Sequence, residues 1–377
     1  MGFKCFFPGP FWIAKPKVLI VNPENSVAGC RLRWGSILEI SNIQKKNTIE
    51  LVDLGDCYGD NWLFSKIVRA VSTIPRLRSL YQKFRLRLRL LRLAKADLAI
   101  FGKPYGAHHM EAMKSAKRHN TKILSDFCDF HSELNDAFLE ASRCSDMITV
   151  PTAALASRIY AETSKYPIII PDKADYCVLP GNSVIDKLDA ILRPESILWF
   201  GLAFANNVPT YSFRNFCRLV SDSDDLIFNH GLCVEIISES SDRAKDYLIG
   251  NSRADLLIEI HSDQWSPGSM HQALSHPGFV ILPYPEPVES CEKSANRIEL
   301  GLCAGKVVIS NGTKLSSLEN SLSAYVMPLP KRSLNASDLD FEGPKQYEQA
   351  VETRRILDEK QGRINCLWSA AINQALG

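Results

Sequence analysis

Short apolar runs alternate with helical patterns along this chain, in two successive series. The first series lies in "KPKVLIVNPEN", "NTIELVDLGD", "KADLAIFGKP", "TKILSDFCDF", "SDMITV" and "YPIII". The second lies in "ESILWFGLAFANN", "LCVEIISES", "DLLIEIHSDQW", "GFVILPYP" and "KVVISN". Apolar runs of this length, bounded by turn residues, indicate buried strands. Strands that alternate with helices predict parallel sheets covered on both faces, so we expect an α/β protein.

The length of 377 residues favours two domains rather than one core. The turn-rich stretch "LPGNSVIDKLDAILRPES" separates the two series of strands. We therefore predict a Rossmann-like domain over residues 1–190 and a second over 191–344, with a cleft between them. Residues 345–377 carry no strand signal, and we expect them to form C-terminal helices that pack back on the body.

Ligands of open α/β sheets bind beyond the carboxyl ends of the strands. After the strand in "GFVILPYP", the stretch "ESCEKSANRIELGLCAG" places Lys293, Ser294, Asn296 and Arg297 where a helix is predicted to begin. With Ser294 as the cap, the free N–H groups and the positive end of the helix dipole favour an anion. Lys293 adds charge and Arg297 can bind two phosphate oxygens, which suits a diphosphate. The alternative is that both cations are solvated and Ser294 only caps the helix.

The wider stretch "SHPGFVILPYPEPVESCEKSANRIELGLCAGKVVIS" resembles the donor-nucleotide region of GT-B glycosyltransferases, especially the bacterial groups described as family 4-like and "glycosyltransferase family 1". The residues that match the pattern are Lys293, Ser294, Asn296, Arg297, Gly305, Val307 and either Val308 or Ile309. The resemblance implies that Lys293 and Arg297 neutralise the diphosphate of a nucleotide-sugar. It also implies two Rossmann-like domains of the GT-B fold, the N-terminal domain for the acceptor and the C-terminal domain for the donor.

The same resemblance implies further donor contacts. Glu289 or Glu292 would lie near the sugar or ribose, and Gly201 would let the backbone approach the donor. Trp265 in "EIHSDQWS" could stack on the base, or else belong to the packed core. The family's second acidic position falls on Leu300 here, and Glu299 is one residue earlier, which leaves Glu299 either a donor contact or a solvated helix residue. Lys306 replaces a usual proline.

On the acceptor side, "SDFCDFHSE" follows a predicted strand and offers Asp126, Asp129 and His131. An inverting glycosyltransferase would use one of them as general base, whereas a retaining enzyme would not need one. The alternative is that they are cap and turn residues. We find no D-x-D motif in a suitable loop, and the resemblance also implies a metal-independent enzyme, so we expect no cofactor beyond the nucleotide-sugar co-substrate.

Positive charge is concentrated in one region. Residues 61–96 contain ten Lys or Arg and no Asp or Glu, which leaves 34 basic and 42 acidic residues elsewhere, a net −8. Within residues 76–95, leucines and arginines form separate stripes on a helical wheel. Such a helix suits an anionic membrane surface, although it could equally dock on its own sheet. No motif supports nucleic-acid binding.

Eleven cysteines are scattered without a C-x-x-C motif, and no apolar run is long enough to span a bilayer. We therefore expect a cytoplasmic protein with reduced, mostly buried thiols; a peripheral position on the inner face of the membrane stays open. The leading hypothesis is a glycosyltransferase that uses a glycan or lipid-linked acceptor in cell-envelope polysaccharide synthesis. Two alternatives stay open: a sugar-nucleotide epimerase on the same architecture, and a catalytically inactive GT-B-like protein that binds a membrane or partner.

Overall fold

The computed structural model describes residues 15–22, 33, 37, 40–53, 90–104, 106–128, 135–173, 175, 177–190, 193–251, 258–285, 295–312 and 317–377. By their contacts these residues group into two units. The first comprises Met1–Thr149, Lys165–Ile168 and Leu367–Gly377, and the second Val150–Ser164 and Ile169–Cys366. Each unit contains a six-stranded sheet.

The first sheet has the strand order β2-β1-β3-β4-β5-β6. Each of the pairs β1–β2, β1–β3, β3–β4 and β4–β5 is parallel. The strands are β1 Lys17–Asn22, β2 Thr48–Asp53, β3 Leu98–Gly102, β4 Lys122–Asp126, β5 Met147–Val150 and β6 Ile168–Ile169.

The second sheet has the order β11-β10-β7-β12-β13-β14, and its strand pairs are all parallel. The chain starts in the middle with β7, moves outwards to β11, and then returns to the other side of β7 with β12. This is the strand order of a doubly wound sheet. The strands are β7 Ser196–Phe200, β10 Cys233–Ser238, β11 Ile260–Gln264, β12 Gly278–Leu282, β13 Val307–Ser310 and β14 Val326–Pro328.

Helices connect the strands in both units, as the alternating sequence pattern predicts. The described helices are α1 Ser41–Lys46, α2 Ala107–Arg118, α3 Asn135–Cys144, α4 Ala153–Thr163, α5 Asn182–Ile185, α6 Tyr211–Ser221, α7 Asp224–Asn229, α8 Ser241–Asn251, α9 Pro267–Ser275, α10 Asn296–Cys303, α11 Asn320–Ser323 and α12 Gly343–Leu376, with 3-10 turns at Leu188–Ala190 and Ala336–Leu339. Side chains cap two of these helices at their N-termini: Thr152 Oγ1 accepts from the N–H of Leu155 at the start of α4, and Ser266 caps α9 with Pro267 at its first position.

Side chains of the second sheet alternate between two apolar clusters. Leu198, Val280 and Val308 pack on one face, while Trp199 and Ile281 pack on the other. Burial on both faces explains why these strands appear in the sequence as continuous apolar runs. The α/β fold with two Rossmann-like domains and a C-terminal helix is thereby confirmed.

The structure adds elements that the sequence pattern did not indicate. A short antiparallel hairpin, β8 Phe204–Ala205 and β9 Val208–Pro209, follows β7, and β14 follows the last predicted strand. The tail is one continuous helix of 34 residues. Of the seven described cysteines, all free thiols, only Cys217 and Cys303 are buried, in contrast to the expectation that most would be.

Most of the basic segment 76–95 lies outside the described residues. Its described part is helical at residues 90–93, where Leu93 is buried and Leu91 is exposed. Within the parts of the chain that the structure describes, we find no helix with the length and apolar character needed to cross a membrane.

Candidate functional site

The candidate site lies at the carboxyl edge of the second sheet, between β7 and β12. These two central strands are paired, and the chain leaves them in opposite directions along the sheet, towards β10 and β13. Where connections diverge in this way, the loops beyond the strand ends leave a crevice that binds ligands in open α/β sheets. Phe200 ends β7 and Leu282 ends β12, so the loops after these two residues are where this rule places a ligand.

Arg297 reaches this edge from the first turn of α10. Its Nη1 donates a hydrogen bond to the carbonyl oxygen of Phe200 at 3.2 Å. The guanidinium carbon also lies 5.2 Å from the centre of the Tyr284 ring, within range of a cation–π contact. The side chain is half-buried and forms no ion pair with any described carboxylate. A fixed arginine charge with donors to spare is suited to binding an anion.

Gly201 follows β7 and makes room for this arginine. Its φ of 147° lies in a region that favours glycine, and a Cβ there would be 2.6 Å from Nη1 of Arg297. The sequence predicted that Gly201 admits a ligand close to the backbone. In the structure, the space that the missing side chain leaves is occupied by the Arg297 guanidinium.

The start of α10 differs from the predicted cap. The helix begins at Asn296 with Ala295 at the N-cap, and the N–H of Ala295 donates to Ser317 Oγ at 2.7 Å. Asn296 Nδ2 donates to Asp172 at 3.0 Å, while its Oδ1 is buried with no hydrogen-bond partner in the described structure. The other predicted donor residues here lie outside the described residues: Glu289, Glu292, Lys293 and Ser294.

Glu299 corrects the expectation of a donor contact or a solvated acid. Its side chain is completely buried, and Oε1 lies 2.6 Å from Nζ of Lys360 on α12. Burial raises the pKa of Glu299, and the Lys360 ammonium opposes this effect. A fully buried carboxylate in an internal ion pair offers no surface to a nucleotide. Glu299 therefore joins α10 to α12 from inside the domain.

Trp265 immediately follows β11, at the same edge of the sheet as the loops after β7 and β12. The indole is half-buried and packs against the apolar cluster that contains Met270 and Ala273. Its backbone N–H donates to the carbonyl of Ser238 at 3.0 Å, which fixes the loop. Because the Trp265 indole is packed against this cluster and is also partly exposed, its position is compatible with both predicted roles, a core residue and a stacking surface for the base.

Asp126 ends β4 in the first unit and is fully buried. Arg33 binds both of its oxygens at 2.6 Å, and Thr149 Oγ1 donates to Oδ1 at 2.6 Å. The Arg33 guanidinium also lies 5.5 Å from the centre of the Trp368 ring. This corrects the prediction of a catalytic or acceptor-binding Asp126, because no oxygen is exposed to an acceptor. Asp129 and His131, the other predicted acceptor residues, lie outside the described residues.

Three important residues were missed by sequence reasoning: Arg33, Tyr284 and Lys360. Arg33 had a faint signal, since it lies in the stretch "ENSVAGCRLRW" after the first predicted strand. Tyr284 lies in the proline-rich loop after β12 and is buried beneath Arg297. Lys360 had no signal, because its partner Glu299 is 61 residues away in the chain.

Among the described residues, no three His, Cys, Asp or Glu side chains are grouped in a way that could hold a metal ion. No family model matches the chain, and no curated protein matches it in sequence.

Solved structures do match the fold. A trehalose-6-phosphate protein from E. coli bound with UDP-2-fluoro glucose aligns with a TM-score of 0.55 and 10% identity, over 96% of this chain and 99% of that one. The apo form of the lipopolysaccharide outer core galactosyltransferase WaaB aligns with a TM-score of 0.51 and 14% identity, over 95% and 99%. These likenesses support a GT-B architecture.

A UDP-GlcNAc 2-epimerase from Neisseria meningitidis bound to UDP-GlcNAc also matches, with a TM-score of 0.44 and 12% identity, over 95% of this chain and all of that one (100%).

Proposed function

We propose that this protein is a glycosyltransferase that moves a sugar from a nucleotide-sugar to a glycan or lipid-linked acceptor, without a metal ion. Within this proposal, the donor diphosphate binds beyond the carboxyl ends of β7 and β12. Arg297 neutralises it, together with Lys293 and the N–H groups at the start of α10. A role in cell-envelope polysaccharide synthesis belongs to the same proposal.

The observation that carries the proposal is the position of Arg297. Three features hold its guanidinium beyond the ends of β7 and β12, where the strand order reverses. They are the Phe200 carbonyl, the Tyr284 ring and the missing side chain of Gly201. An arginine that contributed only to solubility would extend into water and would not need these three contacts. The half-buried charge gains most when an anion completes its environment.

The chemistry needs this charge most when the donor bond breaks. The acceptor hydroxyl oxygen forms a bond to the anomeric carbon, and the bond from that carbon to the diphosphate breaks. The bonding electrons leave with the nucleoside diphosphate, and the acceptor hydroxyl gives up its proton. Negative charge therefore increases on the leaving diphosphate, and a cation fixed beside it stabilises the transition state more than the ground state.

On the acceptor side, Asp126 is buried, so we assign the proposed roles of general base and acceptor binding to Asp129 and His131. Both follow β4 within a few residues in the sequence. Either could accept the hydroxyl proton in an inverting reaction.

A thermal-shift screen against UDP, GDP, ADP and CMP sugars tests the proposal, because a ligand that binds the native state raises its melting temperature. We expect one nucleotide class to raise the melting temperature of wild-type protein and not that of Arg297→Ala. Arg355→Ala is the matched control, since Arg355 is an exposed arginine on α12 that pairs with Glu352 and Glu359. No shift with any donor, or equal shifts in wild type and Arg297→Ala, would refute the proposal.

Incubation of the bound donor without acceptor separates this proposal from the epimerase alternative. A glycosyltransferase leaves the sugar configuration unchanged, with at most slow hydrolysis, whereas an epimerase converts the donor sugar to its epimer. The products can be distinguished by proton NMR. Conversion to an epimer without acceptor would overturn the transferase assignment while leaving the nucleotide-sugar site intact.

A further inference from the structure

A buried ion pair lies on the inner side of α10. Glu299 is 0% exposed and Lys360 is 3% exposed, and their charged atoms are 2.6 Å apart. Removing two charges from water costs free energy that close pairing has to offset, so loss of one partner is far more damaging than loss of an exposed pair. Lys360 thus joins α12 to the inner side of α10, while Asn296 and Arg297 make polar contacts from the first turn of the same helix.

The same C-terminal helix also holds the other end of α10. Arg354 Nε donates to the carbonyl of Cys303, the last residue of α10, at 3.0 Å. Its two remaining nitrogens donate to Asn182 and Pro180, both at 2.7 Å. Since α12 binds Glu299 near the beginning of α10 and Cys303 at its end, it constrains both the axial position and the rotation of that helix.

Rotation of α10 matters because Arg297 and Glu299 point in opposite directions. Two residues correspond to roughly 200° around an α-helix. The Lys360 contact therefore holds the helix from the side opposite to the guanidinium. Turning α10 about its axis would break the Lys360–Glu299 pair and would also withdraw Arg297 from the Phe200 carbonyl.

We propose that Lys360 is a positioning residue for the diphosphate site, acting through Glu299 on the rotation of α10. This inference rests on the proposed nucleotide-sugar function. It gives the C-terminal helix a role in donor binding although Lys360 itself touches no ligand. It also explains why an acid occurs at Glu299, one residue from the position that the family resemblance implies.

The test compares Lys360→Met with Arg363→Met, which removes an exposed ion pair with Glu319 one turn further along α12. UDP affinity is measured by calorimetry at a temperature at which circular dichroism shows each protein to be folded. Hydrogen exchange of residues 296–303 is measured without ligand. We expect Lys360→Met to weaken UDP binding by about fivefold or more and to accelerate exchange in α10. Arg363→Met should change neither quantity.

If Lys360→Met does not fold, the double variant Glu299→Gln, Lys360→Met removes both buried charges together, a replacement that proteins often tolerate. We expect it to regain stability but not UDP affinity. Wild-type affinity in either folded variant would overturn the positioning role alone. Failure of the wild-type protein to bind UDP or another nucleoside diphosphate would instead overturn the proposed function, and the exchange of α10 would still show whether Lys360 orders the helix.

Discussion

The Arg297 guanidinium occupies the space that a side chain on residue 201 would need, and this residue is a glycine. A Cβ at Gly201 would lie 2.6 Å from Nη1 of Arg297. The glycine immediately follows the central strand β7, and the arginine lies in the first turn of α10, the helix that precedes β13. The strands β7 and β12 are adjacent in the sheet, and the two residues meet beyond their carboxyl ends, where the strand order reverses. The position of the Arg297 charge thus depends on the absence of a side chain at Gly201, 96 residues earlier in the sequence.

We predict that Gly201→Ala weakens nucleotide binding and lowers stability by about 1–3 kcal/mol, because the new methyl group displaces the guanidinium and the residue must keep a φ of 147°. Calorimetry with UDP and thermal unfolding would measure both effects. Gly250→Ala is the control, as Gly250 lies in α8 with open space around it. That change should leave binding unaltered and stabilise the helix slightly. Unchanged affinity in folded Gly201→Ala would contradict the role of this contact.

Local sequence signals predicted most of the second sheet. Its central strands β7, β12 and β13 are buried along their whole length, so continuous apolar runs mark them in the sequence. The hairpin after β7 was missed, although Asn206 and Asn207 adopt the positive φ angles typical of a tight hairpin turn. The β8 and β9 strands are only two residues long each, too short for any alternation to show.

The sequence could predict only those site residues whose position follows from the order of strands and helices along the chain. Arg297 could be identified because it follows a strand at the carboxyl edge of a parallel sheet. The burial of Glu299 and Asp126 could not, since each depends on a cation 61 or 93 residues away. A carboxylate after a strand has the same local sequence whether it faces a ligand or an internal arginine. Only tertiary packing decides between these cases.

Trp265 gives a prediction about the nucleobase. If the exposed part of its indole stacks on the base, Trp265→Leu should preserve the apolar packing but weaken UDP binding by about 1 kcal/mol or more, roughly fivefold in Kd. Trp265→Phe, which keeps an aromatic ring, should bind nearly as tightly as wild type. Calorimetry measures both affinities. Equal affinities in the Leu and Phe variants would show that Trp265 serves only the core.

Lys306 replaces the family's proline at the start of β13, and it is fully buried. Its Nζ has no hydrogen-bond partner among the described residues. Burial lowers the pKa of this lysine from 10.5 to about 8, and the carboxylate of Glu235 partly opposes the shift. The folded state therefore binds this proton more weakly than the unfolded chain does. Below pH 8 both states are protonated and the charge destabilises the fold; as pH rises from 8 to 10.5 this penalty disappears.

We predict that Lys306→Met stabilises the protein at pH 7 by up to about 3 kcal/mol. The advantage over wild type should decrease between pH 8 and 10.5, as the wild-type lysine becomes neutral in both states. Denaturant unfolding at a series of pH values measures the difference. Lys331→Met, at an exposed position, controls for the loss of one positive charge. A Lys306→Met protein that is no more stable than wild type at pH 7 would contradict the burial of a charged amine.

Asp126 provides the last prediction, because its burial with Arg33 separates a structural role from a catalytic one. Asp126→Asn removes the buried carboxylate that binds the Arg33 guanidinium through two hydrogen bonds, so we expect it to lose about 3–5 kcal/mol of stability while the kcat of the folded fraction stays within a few-fold of wild type. Asp129→Asn should show the opposite pattern if Asp129 is the base, with near-normal stability and kcat reduced by about 10²-fold or more. Unfolding curves and initial rates with the donor found by the thermal-shift screen measure both. A well-folded Asp126→Asn enzyme with a hundredfold lower kcat would return the catalytic role to Asp126.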